Sequence, residues 1–192
     1  KGKPAIKPFT LDEAMTIISN ADGWFKNMLT VAFFTGMRTG EIIGLRWEDI
    51  NFHSKTITIQ RSIRGGITGD TKTDNSQGRE IDMLPHVEDA LKKQFAETGL
   101  KDGFIFTHSR GHEFRNTNGL RKTHWYPLLR KCLISRRDLY QTRHTFATMM
   151  ISRGEDIIWV SHTLGHGDAS VTLKFYAKYT KDRSVRRATF LD

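Results

Sequence analysis

Apolar residues recur at helical intervals between Asp22 and Gly36, at Trp24, Phe25, Met28, Leu29, Ala32 and Phe33. That spacing predicts an amphipathic helix, and Gly36 is placed to stop it. Ahead of it, Thr10 stands three residues before Glu13, a capping-box spacing that predicts a helix running to about Ser19. The turn GMRTGE then leads into a short helix ending near LRWEDI. There the period changes to two. KTITIQRSI alternates Ile57 and Ile59 with polar residues and reads as a strand. GGITGDTKTDNSQGREIDML reads as one or two more, with a Gly/Asp/Asn-rich hairpin in the middle and Ile81 and Met83 turned inward.

The helical period returns in HVEDALKKQFAETG, with Val87, Leu91 and Phe95 on one face and Gly99 closing it. Asn116 to Lys131 carries Trp125, Leu128 and Leu129 on a further helix, which Pro127 is expected to kink or split. From about Asp138 a helix carries Leu139, Phe146, Met149 and Met150 to Gly154. Asp156 caps DIIWVSHTLG, and Asp168 caps DASVTLKFYAKY. The fold class is therefore α+β, mainly α, with a small three-stranded antiparallel sheet.

Composition narrows the function. The 192 residues carry 30 Lys+Arg against 21 Asp+Glu, a formal charge of +9. Such an excess fits a polyanionic partner, nucleic acid first. One cysteine, Cys132, excludes an internal disulfide framework and fits a reducing cytoplasm. It sits in the apolar run YPLLRKCLI and is expected to be a buried structural thiol. No run approaches the roughly 18 apolar residues of a membrane span. Residues 1–8, with three lysines and two prolines, read as an extended linker.

Candidate chemistry gathers between Asp138 and Lys178, where Arg143, His144, His162, His166 and Tyr176 interrupt the amphipathic runs. His144 directly follows Arg143 and so points elsewhere on a helix, where core packing or a backbone hydrogen bond is expected. His162 and His166 have a zinc-like spacing, but Gly165 ends the helix between them and no third ligand follows. Upstream, Arg38 lies in the turn after Gly36, with Glu41 three residues later to hold it or a nearby amide. An ordinary surface pair is the alternative.

Four blocks in order, TGMRTGEIIGLRWEDI, TKTDNSQGREI, TRHTFATMMISRG and LGHGDASVTLKFYAK, resemble the catalytic domain of the tyrosine recombinases, the phage-integrase family. The resemblance covers most of the chain from Phe9 onward. It implies a catalytic domain over residues 9–180, a tail over 181–192, and a preceding core-binding domain joined through residues 1–8. It implies that Arg38 and Arg143 clamp the scissile phosphate and that Glu41 braces the first of them. Lys72, on the hairpin, would protonate the leaving 5′-oxygen, His166 would hydrogen-bond the phosphate, and Tyr176 would be the nucleophile. The product would be a 3′-phosphotyrosyl link that conserves the bond energy, with no metal, ATP or other cofactor. Double-stranded DNA is the implied partner, self-association into a tetramer on two DNA sites the implied assembly, and the cytoplasmic nucleoid the implied location.

The residue types make sense of that chemistry unaided. Guanidinium groups stay ionised and present forked donors that match phosphate oxygens. A phenol with a pKa near 10 is only about one part in a thousand ionised at pH 7, so it needs cationic surroundings or a proton acceptor to attack. Two features depart from the family pattern. Tyr140 stands where a histidine usually precedes the second arginine by three, and as a poor base it leaves proton removal to another group. The nucleophile's register admits Phe175 or Tyr176; the following Ala-Lys favours Tyr176, with Tyr140 and Tyr179 as decoys. The basic tail, including Lys181, Arg183, Arg186 and Arg187, would contact DNA or pack on a neighbouring protomer. A type IB topoisomerase-like enzyme, a catalytically silent DNA-binding module and a metal-dependent nuclease are the rival readings.

Overall fold

The computed structural model describes residues 6–65, 67–70, 78–99, 103–108 and 112–177. Lys72, Lys178, Tyr179 and the tail lie outside them. Helix α1 (Leu11–Ser19) opens with the expected capping box: Thr10 Oγ1 accepts from the Glu13 amide at 3.1 Å, and Glu13 Oε2 accepts from the Thr10 amide at 2.9 Å. Helix α2 (Gly23–Thr35) is buried along almost its whole length, Phe25 and every residue from Asn27 to Thr35 included. It packs against α1, α3 (Thr39–Ile43), α4 (Pro85–Thr98) and α7 (Gln141–Arg153). An element enclosed this way organises its neighbours, because each must present an apolar face to it.

The sheet is three-stranded and antiparallel, in the order β1 (Ile50–Asn51), β2 (Thr56–Ile59), β5 (Arg79–Asp82). Register pairs Ile57 with Ile81 and Ile59 with Arg79. Residues on β5 alternate in burial, so Arg79 shares the inner face with Ile81. A separate antiparallel ribbon pairs β3 (Arg61–Arg64) with β4 (Ile67–Asp70). The two-residue β1 carried no alternation long enough to read.

Asn116 to Lys131 is divided as Pro127 suggested, and the division has a specific form. After α5 (Thr117–Leu120), residues Arg121–Trp125 wind as a π-helix into α6 (Tyr126–Lys131), with Pro127 in its first turn. A proline has no N–H to offer the preceding turn, and the wider winding accommodates that gap. Cys132 ends α6 and is half-buried rather than enclosed. Ile6 and Lys7, which composition places in a linker, lie against α7: the Lys7 amide donates to Gln141 Oε1 at 2.9 Å, and the Phe9 amide to Thr145 Oγ1 at 2.9 Å. Helix α7 begins at Gln141, later than Asp138, because Asp138 Oδ1 takes up the Tyr140 amide ahead of the first turn.

Helices α8 (Ile157–Leu164) and α9 (Ala169–Tyr176) begin at the capping aspartates expected of them. Asp156 Oδ1 accepts from the Ile158 and Trp159 amides, and Asp168 Oδ1 from the Ser170 amide. With α7 they form a second apolar cluster of Phe146, Ala147, Ile151, Val160, Leu164 and Tyr176. No described helix is long and apolar enough to cross a membrane.

Gly36 is where the first core meets the second. It ends α2 in the left-handed region at φ 63°, and a Cβ there would lie 2.5 Å from Phe146 Cδ1 and 2.9 Å from Leu164 Cδ2. Backbone strain and overpacking therefore add. Gly36→Ala is expected to lower unfolding free energy by about 2–4 kcal/mol, as measured by urea denaturation.

Candidate active site

Arg38 occupies the N-cap position of α3, directly after the Gly36–Met37 turn. Glu41, one helical turn on, is 1% exposed and accepts from the Arg38 amide (2.8 Å) and from Arg38 Nη1 (2.8 Å). It also accepts from Arg79 Nη2 at 2.8 Å and Nη1 at 3.3 Å. Glu41 thus holds both the Arg38 side chain and its amide, as the turn's spacing allows, and does so as a buried bridge from α3 to β5, not as the surface pair that was the alternative. Burial pushes the Glu41 carboxyl up, but Arg79, then Arg38 and Arg143, overcome it and hold it below the usual carboxylate range.

Arg79 is the residue the sequence reading missed. Its Nε donates to the Thr163 carbonyl at 3.2 Å, and its guanidinium fills the space where a Cβ on Gly165 would sit, 2.8 Å from Cζ. It therefore ties β5 to α3 and to the C-terminal end of α8. The signal was present: the alternation that turns Ile81 and Met83 inward puts Arg79 on the same face.

Arg143 arrives from the first turn of α7 and is 2% exposed. Its Nη1 donates to the Gly36 carbonyl at 2.8 Å, and its Nη2 lies 3.1 Å from His166 Nε2. Burial lowers its pKa to about 10, with the nearby Arg38 acting in the same direction, which leaves it cationic at neutral pH. Arg38 Nη2 reaches the adjacent Gly165 carbonyl at 3.4 Å. Arg38 and Arg143, far apart in sequence, therefore meet at the Gly165–His166 turn.

His166 is half-buried, and its pKa falls to about 3 through burial and the charges of Arg143, Arg38 and Arg79. The imidazole is neutral at pH 7. With Nε2 facing the Arg143 donor, the ring proton sits on Nδ1 and is donated to Thr172 Oγ1 at 2.7 Å. Thr172 and Tyr176 are four apart on α9, so both face inward, while Phe175 lies on the outer side at 38% exposure. Of the two register choices, Tyr176 is the one brought to the cluster.

The Tyr176 hydroxyl lies 2.6 Å from His144 Nδ1. This differs from the core or backbone role expected of His144. Being next to Arg143 does turn it to another side of α7, but α9 packs on that side. Burial and Arg143 lower the His144 pKa to about 4. Tyr140 stacks edge-on against His144 with ring centres 5.2 Å apart and is 40% exposed. It lines a polar cleft of about 570 Å³ together with Arg38, Thr39, Ser62, Asn118 and Arg121. His162 is exposed on α8, away from this arrangement. Lys72 lies outside the described residues. Among those residues no cluster of three or more potential metal ligands occurs.

The family model described as the phage integrase family matches residues 6–183. The chain is 28% identical over 177 residues to a protein named tyrosine recombinase XerC-like from Caldanaerobacter subterraneus subsp. tengcongensis, covering 79% of this chain and 44% of the relative. It is 25% identical over 211 residues to the prophage integrase IntR of Escherichia coli, covering 96% and 50%. The chain thus spans about half the length of these relatives. Among solved structures, the Tn1549 transposon integrase in complex with a circular-intermediate DNA matches with a TM-score of 0.77 at 19% identity, covering 91% of this chain and 62% of that one. At that identity the likeness is one of fold.

Glu41 makes the cluster acid-sensitive. Its folded pKa is depressed, so its stabilisation is present above the ordinary value of 4.5 and lost as pH falls through the lower folded value. Glu41→Ala strands two guanidinium groups and should lower unfolding free energy by about 3–5 kcal/mol at pH 7 in urea titrations. The variant should also lose the wild type's extra pH dependence below about pH 4.5.

Proposed function

The chain belongs to the phage integrase family, and from that premise we propose that it is the catalytic domain of a site-specific DNA recombinase. It cleaves and rejoins strands through a covalent 3′-phosphotyrosyl intermediate. The observation that carries this reading is the meeting of Arg38, Arg143 and His166 at one turn, with the Tyr176 hydroxyl held one residue along α7 from Arg143. Three guanidinium groups surround one carboxylate there, so the site favours an added anion. A scissile phosphate supplies it.

In this mechanism Arg38 and Arg143 hold the non-bridging oxygens, and their charge stabilises the phosphorane as Tyr176 attacks. The bound phosphate opposes the effects that keep His166 neutral and raises its pKa, so that Nε2 donates to an oxygen instead of accepting from Arg143. Lys72 is assigned the proton for the departing 5′-oxygen. Tyr140, beside Arg38 in the cleft, donates to phosphate but does not serve as the base. Side chains supply all the charge the reaction needs, so it calls for no metal and no nucleotide. The DNA complex of the Tn1549 integrase supports double-stranded DNA as the partner. Tetramer formation on paired sites, with residues 181–192 packed on a neighbouring protomer, and action at the nucleoid belong to the same proposal.

A nicked suicide substrate carrying the protein's own site should yield a covalent protein–DNA adduct with the full-length protein. Tyr176→Phe should abolish it and Tyr179→Phe should not. Arg143→Lys loses the forked donor and should slow cleavage by about 10²–10³-fold, while a chelator changes nothing. An intact protein that binds its site but forms no adduct is a silent DNA-binding module, and the recombinase reading then fails.

A further inference from the structure

The attack by Tyr176 needs somewhere for the phenol proton to go, and the residues that hold phosphate cannot take it. The guanidinium groups of Arg38 and Arg143 offer donors and no lone pair. In the DNA-free protein the only lone pair of His166 faces Arg143, and with phosphate bound that nitrogen donates. Tyr140, where the family resemblance calls for a histidine, is a phenol itself. His144 is a neutral group in hydrogen-bond contact with the reacting oxygen. Its Nδ1 lies 2.6 Å from the Tyr176 hydroxyl, and the two rings are 5.7 Å apart. The Tyr140 ring packs edge-on against His144, with ring centres 5.2 Å apart. Resting on the assignment of Tyr176 as nucleophile, we infer that His144 is the proton acceptor for the cleavage step and returns the proton during rejoining.

The step balances. As Tyr176 Oη bonds to phosphorus, its proton passes to His144 Nδ1, and the bond from phosphorus to the 5′-oxygen breaks. That oxygen takes a proton from a general acid, the lysine ammonium assigned to Lys72. In rejoining, the 5′-hydroxyl returns its proton to the lysine, and the imidazolium reprotonates the leaving phenolate. Position favours timing over ground-state strength. Burial and Arg143 keep His144 neutral near pH 7, with a pKa of about 4, so its lone pair is available before DNA binds. The phenol becomes acidic only as its oxygen gains the bond to phosphorus, and the phosphate's negative charge makes the imidazolium easier to form. The ionisable groups that face His144 are Tyr140 and Arg143 on its own helix, His166 in the α8–α9 turn and Tyr176 on α9. Protonation of His144 itself removes the acceptor, whereas a protonated His166 still donates to phosphate.

The test is single-turnover cleavage by the full-length protein on nicked substrates with oxygen or sulfur at the 5′-bridging position. A thiolate leaves without protonation, so the sulfur substrate removes the need for the general acid. His144→Asn keeps an acceptor near the phenol but cannot take up a proton. It should bind DNA as the wild type does and cleave about 10²-fold more slowly on both substrates. A loss smaller than about tenfold on the oxygen substrate overturns the inference, as does rescue by sulfur, which would place His144 on the leaving group. Should His144→Asn and His144→Gln both fail to fold, the wild type decides through its pH profile on the sulfur substrate. A rate that levels off above an acid ionisation, at or above about 4, supports a neutral imidazole acceptor. A rate that keeps rising in proportion to hydroxide between about pH 5 and 8 shows free phenolate formation and overturns it. An adduct that survives Tyr176→Phe removes the nucleophile and this inference together; a Tyr176-dependent adduct unaffected by His144→Asn removes the proton acceptor alone.

Discussion

The buried Glu41 carboxylate is the interaction on which the rest of the cluster depends. Three guanidinium groups cannot share a desolvated corner without a counter-charge, because Coulomb repulsion grows as the local dielectric falls. Glu41 supplies that charge and spends its four hydrogen bonds on the Arg38 amide, the Arg38 side chain and both terminal nitrogens of Arg79. It therefore sets where Arg38 points. Through Arg79, which also bonds the Thr163 carbonyl and lies under Gly165, it fixes where the α8–α9 turn sits. One carboxylate thus aligns the first arginine with the turn that carries His166.

The fold divides the labour behind this. Helix α2 and the sheet deliver Arg38, Glu41 and Arg79 from one core, and the cluster of α7, α8 and α9 delivers Arg143, His166, His144 and Tyr176 from the other. Gly36 joins them with the least possible bulk: its missing side chain admits Phe146 and Leu164, and its carbonyl receives Arg143. A site assembled across two packed cores is sensitive to their relative placement. That placement is set where Phe146 and Leu164 close on Gly36 and the Arg79 guanidinium closes on Gly165, neither glycine having a side chain to hold them off.

Much of this was legible along the chain. Capping residues Thr10, Asp156 and Asp168, the stop at Gly36, and the period change near Thr56 are local facts of hydrogen-bonding capacity and side-chain spacing, so they read directly. The mainly helical α+β class and the small antiparallel sheet follow from them, and four ordered motifs pointed to the family. The two-residue β1, the separate β3–β4 ribbon and the π-helical turn before Pro127 did not read, because each is fixed by a partner strand or by packing rather than by its own pattern. Arg79 lay in between. Its inward direction was written in the alternation of β5, but an arginine on an apolar face looks like a solvated edge until its partner is known.

By itself the sequence determined which residues could carry charge to a phosphate, and in which order the elements holding them occur. That information is local, residing in side-chain chemistry and in the periods of helix and strand. Only the tertiary structure decided which of them meet. It buried Glu41 between Arg38 and Arg79, and it turned Tyr176, which the following Ala-Lys already favoured, inward while Phe175 stays on the outer side. It also set His144 against the Tyr176 hydroxyl, because the face of α7 that carries His144 is the one α9 covers. No spacing along the chain encodes that contact; it depends on how two helices from distant segments pack.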